Sequence, residues 1–166
     1  KSSPAPLRLQ MAQQLRALTR EMGALLIIND DLSLCLQCDA DGVHLGQEDT
    51  PVASARQQLG RNKIIGATCH GSQALAEAAI DQGANYLAFG RFFPSRTKPD
   101  ALPADLEALR PFLQRCPLPT VAIGGITLNN ATPLIDAGFN MLAVINDLFD
   151  RADTEQHCQR YSTLFQ

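Results

Sequence analysis

Asp30 and Asp49 are carboxylates that each follow a short apolar run, and Asn29 adds an amide beside the first. Hard oxygen donors of this kind suit Mg2+, which binds through one or two carboxylates, keeps several waters and shares the phosphate oxygens of a substrate. The same residue types also cap helices. Asp30 or Asp31 precedes one helical stretch and Asp49-Thr50-Pro51 precedes another, so spacing leaves metal ligand and helix cap equally open. A second chemistry collects in FGRFFPSRTKPD (residues 89–100), where Arg91, Ser95, Arg96, Thr97 and Lys98 follow the apolar run YLAFG. Hydroxyls and a point charge at the end of a buried strand suit a phosphate. Gly124-Gly125, whose backbone N–H groups can approach a ligand closely, suits one too. Arg91 and Arg96 fit a solvated surface as well as an anion site. The two sets together suggest a substrate with two separate phosphate groups. One would lie at Mg2+ and Lys98, the other at the glycine and hydroxyl loops.

These residues need a scaffold that brings strand ends together. The periodicity supplies one. Helical spacing over LRLQMAQQLRALTREMG gives way to the continuous apolar run ALLIIND, and the alternation then repeats to the end of the chain. Strands are predicted at ALLIIND, GVHLG, KIIGATC, NYLAFG, PTVAIGG and NMLAVIN, each followed by a helix. Continuous apolar strands alternating with helices indicate a parallel α/β sheet. A nucleotide-binding open sheet would carry G-x-G-x-x-G after its first strand, and that motif is absent. A (β/α)8 TIM barrel needs eight strands in about 250 residues. The 166 residues match such a barrel with its first β-α-β absent, read as a single N-terminally incomplete domain over residues 1–166. A barrel of this kind places its site at the C-terminal ends of the strands. Those ends hold Asn29 to Asp31, His44 to Asp49, Thr68 to His70, Gly90 to Lys98, Gly124-Gly125 and Ile145-Asn146.

Composition narrows the partners. A net charge of -3 disfavours nucleic acid and anionic membrane surfaces, which ask for a basic face. No apolar run reaches the ~18 residues needed to cross a bilayer. Five cysteines in no regular framework read as reduced thiols in a cytoplasmic protein. Cys35-x-x-Cys38 lacks a second pair for zinc and reads as packing. Gly42, Gly83 and Gly138 read as structural, Gly124-Gly125 as functional. Gln47 and Glu48 are open between support of the metal site and a helix start, and His70 between the site and packing. No feature sets an oligomeric state.

The segments LIINDD, GVHLGQED, IIGATCH, FGRFFPSRTKP, VAIGGIT and AVI occur in the order and approximate spacing of the thiamine-phosphate synthase family, and the chain resembles that family over essentially its whole length. The resemblance implies a (β/α)8 enzyme, a transferase that joins hydroxymethylpyrimidine diphosphate to thiazole phosphate and releases pyrophosphate. It implies Asp30 and Asp49 as Mg2+ ligands, with Asn29, Thr68, Lys98 and Lys1 on the pyrimidine diphosphate. Lys1 would close the family's Gln-x-Arg-x-Lys motif. Ser95, Arg96, Thr97, Gly125, Ile145 and Asn146 would hold the thiazole phosphate, several through backbone N–H groups. Lys98, Thr68 and Asn29 carry the catalytic expectation, in which pyrophosphate departs first and the thiazole nitrogen captures the pyrimidine methylene cation. Thr68 and Asn146 stand where many members have Ser. Asp147 adds an anion nearby that must point away if amides grip the phosphate. Two rivals differ in class. A thiazole tautomerase would place a histidine where Arg91 stands, and a non-catalytic module would bind the same phosphates without turnover. A barrel short of two strands leaves sheet edges open. The missing strands are therefore expected to be present, or their place to be covered by a partner chain.

Overall fold

The computed structural model describes residues 4–94 and 102–165. Two compact units divide the chain. The first runs to Thr68 and takes in Ala78–Asn85, and the second comprises Cys69–Glu77 and everything from Tyr86 onward.

In the first unit, β1 (Ile27–Asn29), β2 (Gly42–Leu45) and β3 (Ile64–His70) lie parallel in chain order, with β3 passing its last two residues to the second unit. Their registers set Asn29 beside His44 and His44 beside Gly66. Helices α2 (Leu32–Gln37) and α3 (Val52–Leu59) connect them, and α4 (Gln73–Asp81) follows β3. Gly42 is fixed by packing: a Cβ there would sit 2.1 Å from the Ile64 carbonyl oxygen. Cys35 and Cys38 are buried on α2, and burial first, then Cys38, pushes the Cys35 thiol up to about 11. Arg56 of α3 gathers the end of this unit. Its guanidinium donates to the carbonyls of Gly60 and Lys63 (both 2.7 Å), to Gly83 and to the Asn85 side chain.

Helix α1 (Ala5–Glu21) precedes these strands and buries little beyond Ala12. Leu7, Met11, Leu15, Leu18 and Met22 form an exposed stripe at helical spacing. Charge ties the helix down instead. Arg8 meets Asp31 at 3.0 Å, Arg16 meets Asp41 at 2.5 Å and Arg20 meets Asp39 at 2.6 Å. The outer pairs are solvated and contribute little. The Arg16–Asp41 pair is the shielded one.

In the second unit, β4 (Tyr86–Phe89), β5 (Thr120–Ile123) and β6 (Met141–Ala143) are again parallel in chain order. The end of β3 meets β4 where the Gly90 N–H donates to the His70 carbonyl. Phe89 packs edge-on against Phe112 of α5 (Leu106–Leu113) and against Phe139, with centroids 5.9 and 6.1 Å away. Helices α6 (Thr132–Asp136), α7 (Asn146–Phe149) and α8 (Thr154–Ser162) complete it. The six expected strands are all present, each except β3 shorter than its expected segment; at the last, Ile145 and Asn146 turn into the four-residue α7. So short a helix shows no periodicity in sequence.

One device recurs in both units. The residue before each even-numbered strand accepts, through its side chain, a backbone N–H of the strand region preceding it. Asp41 accepts from Leu26, Asn85 from Ile65 and Asn140 from Thr120, each at 2.8 Å. The N–H groups of the same three residues donate back to Leu26, Ile65 and Thr120. Each reciprocal pair pins a strand register.

Asp41 serves both as a pin and as the partner of Arg16. Burial favours its neutral form, but the Leu26 N–H and the Arg16 charge outweigh that and lower its pKa. Asp41→Ala is expected to cost roughly 2 kcal/mol, and Asp41→Asn, which keeps the acceptor, about half that. Because the folded pKa lies below the unfolded one, this contribution is complete above the ordinary carboxylate value near ~4 and disappears as pH falls through the lowered folded value. Urea melts at neutral and acidic pH check it: the wild-type advantage over Asp41→Asn must shrink in acid.

Candidate functional site

The first unit gathers the acidic candidates at the ends of β1 and β2. Asp30 adopts φ 65°, in the left-handed region, and its N–H donates to the His44 carbonyl at 2.8 Å. A side chain there is unusual outside Asn and Asp, and the conformation costs energy that its surroundings must supply. Asp31 is the helix cap: its Oδ1 accepts the Leu34 N–H at 2.9 Å and its Oδ2 meets Arg8. The cap role thus falls to Asp31 and not Asp30. Asp49 does not cap α3 either, because Pro51 occupies that position without a side-chain bond. Its Oδ2 instead accepts the Gly46 N–H at 2.7 Å in the turn after β2. An open groove of about 640 Å3 takes in Asn29 and Asp30 alongside Arg8, Asp31 and Thr50.

Thr68, in β3, has its Oγ1 2.8 Å from His44 Nε2, while Gln47 Nε2 donates to the Thr68 carbonyl. Gln47 therefore supports Thr68 and does not start a helix. His44 stood in the strand-end set but was given no role by sequence reasoning. Its contact follows from register, since His44 pairs with Gly66 and the residue two further on shares its face. Among the described residues no group of three or more His, Cys, Asp or Glu is placed to hold a metal ion. Asp30, Asp49 and the Asn29 amide are a hard-oxygen set of the kind Mg2+ takes with water completing the shell.

The second unit holds the anion candidates. Gly124 and Gly125 follow β5 with φ 100° and 66°. A Cβ on Gly125 would lie 2.3 Å from the Pro94 carbonyl oxygen, and the Phe93 N–H donates to the Gly124 carbonyl at 3.0 Å. Asn130 shapes the same loop: its Oδ1 accepts the Thr127 N–H and its Nδ2 donates to the Gly125 carbonyl. Among the described residues, the N–H groups of Gly125, Ile145 and Asn146 are given to no protein acceptor. Amides left over at loop ends can receive an anion. The Asn146 side chain donates to Asp150 instead. His70 is exposed at φ 51° and meets Gly90 through its carbonyl. Lys1, Ser95, Arg96, Thr97 and Lys98 lie outside the described residues.

The sequence pattern of the family described as thiamine monophosphate synthase matches residues 1–148. The chain is 47% identical over 165 residues to the thiamine-phosphate synthase of Aromatoleum aromaticum, covering 99% of this chain and 79% of that protein. It is 53% identical over 149 residues to the one from Saccharophagus degradans, covering 90% and 69%. Among solved structures, the thiamine phosphate pyrophosphorylase from Pyrococcus furiosus superposes with a TM-score of 0.89 at 35% identity, over 99% of this chain and 79% of that one. A 3-hexulose-6-phosphate synthase at 15% identity and a TM-score of 0.68 shares the fold alone. These likenesses give the α/β TIM-barrel-like fold class expected from the sequence. No described helix is long and apolar enough to cross a membrane.

Proposed function

Since the chain belongs to the thiamine-phosphate synthase family and is a transferase of that activity, we propose that it couples hydroxymethylpyrimidine diphosphate to thiazole phosphate with Mg2+, releasing pyrophosphate. In this reading Asp30 and Asp49 hold the metal. Asn29, Thr68, Lys98 and Lys1 hold the pyrimidine diphosphate. Ser95, Arg96, Thr97, Gly125, Ile145 and Asn146 take the thiazole phosphate. A cytoplasmic setting and a single barrel domain belong to the same reading.

The observation that carries the metal assignment is the division of labour between two neighbouring carboxylates. Asp31 is consumed by the α2 cap and Arg8, while Asp30 is held in a costly backbone conformation that the cap does not require. Asp30 and Asp49 would hold Mg2+, which when bound would supply charge neutralisation for a departing diphosphate. Around it, the protein's own groups orient the reactants. The His44 contact and the Gln47 bond fix the Thr68 hydroxyl, so a donor stands ready at the strand end without reorganisation. Gly46 fixes one oxygen of Asp49 and with it the rotamer that presents the other. The phosphate of the second substrate meets amides held by the loop's own packing; pyrophosphate departs first, and the thiazole nitrogen then captures the pyrimidine methylene cation. The carbon–oxygen bond to pyrophosphate breaks and a carbon–nitrogen bond forms; the electron pair of the first leaves on pyrophosphate.

The test is a coupling assay with both substrates. Thiamine phosphate and pyrophosphate are expected in equal amounts with Mg2+ present, and loss of both when the metal is chelated. Product formation unaffected by chelation would remove the metal assignment, and pyrophosphate release without thiamine phosphate would remove the coupling.

A further inference from the structure

We infer that Asp147 is a positioning residue for the thiazole-phosphate site: its carboxylate ties the loop after β5 to the first turn of α7, and His157 and Tyr161 of α8 lock it in that role. This rests on the reading in which Gly125, Ile145 and Asn146 meet the phosphate.

One carboxylate oxygen carries the arrangement. Asp147 Oδ2 accepts the Leu128 N–H at 3.3 Å, lies 2.7 Å from His157 Nε2 and accepts the Tyr161 hydroxyl at 2.7 Å. Leu128 stands three residues after Gly125, and Asp147 two after Ile145, so the bond spans the two loops by short levers. Asn130 holds the other side of the glycine loop through the Gly125 carbonyl. An ionised carboxylate only accepts, so His157 donates to it through Nε2. Its Nδ1 is buried without a protein partner. His157 is 3% exposed and Tyr161 9%, and their rings pack edge to face at 5.6 Å. Thr154 adds a bond from its hydroxyl to the Leu148 carbonyl at 3.0 Å, which joins the start of α8 to α7. Burial works against the Asp147 charge, but the His157, Tyr161 and Leu128 bonds outweigh it and keep the carboxyl below its ordinary value. The anion near a phosphate site is thereby engaged on the side of α8, where it serves as a fastener.

The experiment measures steady-state constants for both substrates, and the preference for thiazole phosphate over the unphosphorylated thiazole alcohol. Asp147→Ala is expected to raise KM for thiazole phosphate roughly ten- to a hundredfold, the effect of losing charge-assisted hydrogen bonds. KM for the pyrimidine diphosphate stays unchanged and the preference for the phosphorylated thiazole falls in parallel. Tyr161→Phe removes only a hydroxyl and keeps the ring, so it tests the idea even if Asp147→Ala fails to fold. It should shift the same constant by several-fold. His157→Gln, which can still donate to the carboxylate, should restore most of what His157→Ala loses. Equal changes in both KM values, or a lower Tm with the thiazole-phosphate preference intact, overturn the inference. Gly125→Ala separates the two levels. If it erodes the phosphate preference and the Asp147 and Tyr161 variants do not, the positioning role fails alone; if none of them does, the phosphate reading fails and takes this inference with it.

Discussion

Asp30→Asn is expected to lower kcat/KM by about two to three orders of magnitude, with little change in Tm. The choice of asparagine matters. Asp30 sits at φ 65°, where alanine would add strain of about 1 kcal/mol and confuse lost chemistry with lost folding. Asparagine tolerates that region and keeps the shape, so the variant removes the charge and little else. The backbone bond from Asp30 N–H to the His44 carbonyl survives the change. Asp49→Asn has the same logic, because an amide oxygen can still accept the Gly46 N–H. Both variants should need more Mg2+ for half-maximal rate. A titration of rate against Mg2+ decides the matter: an unchanged midpoint and an unchanged maximum in Asp30→Asn would remove the metal-ligand assignment.

Gly125→Ala should harm folding and substrate use together. The left-handed φ of 66° costs a side chain about 1 kcal/mol. The new Cβ, 2.3 Å from the Pro94 oxygen, must displace backbone, which adds about 1–3 kcal/mol. The loop that moves is the one with the Gly125 amide, so KM for thiazole phosphate should rise while the constant for the pyrimidine diphosphate holds. Gly42→Ala is the control. It is at least as crowded, with a contact of 2.1 Å to the Ile64 carbonyl, but lies at the start of β2, away from the strand ends. It should destabilise without favouring either substrate. Urea melts paired with the two KM values separate these patterns, and a Gly125→Ala protein that loses stability but keeps its thiazole-phosphate constant would argue that the glycine serves packing alone.

Much of the fold was legible because it rests on repetition. Mostly apolar runs alternating with helical stretches marked the strands, and the asparagine before β4 and before β6 has a physical role, since Asn85 and Asn140 pin the preceding strands. Asp41 does the same work in a segment that reads differently, so the third pin was hidden. Helix α7 was missed because a single turn of four residues shows no repeat. The site divides along the same line. Residue types and strand-end positions made Asp30 and Asp49 candidates, because those depend on local pattern, while Thr68 took its role from the family resemblance. The choice of Asp31 as cap and the contact of His44 with Thr68 depend on backbone φ and on register, which local pattern does not carry. Asp147 was noticed as an unwelcome charge. Its partners lie ten and fourteen residues further on, on a helix whose buried face shows only in three dimensions.

The reach of Arg56 bears on how the polypeptide is made. Its partners Gly83 and Asn85 are 27 and 29 residues downstream. At ~5–20 residues per second they leave the ribosome roughly 1–6 s after it does. By then Cys69–Glu77, which belong to the second unit, have already been synthesised. The first unit therefore cannot close behind the ribosome before the second has begun. For those seconds the guanidinium has the Gly60 and Lys63 carbonyls but not the later pair, and a nascent chain halted before Ala78 carries an unfinished layer that chaperones and proteases can recognise.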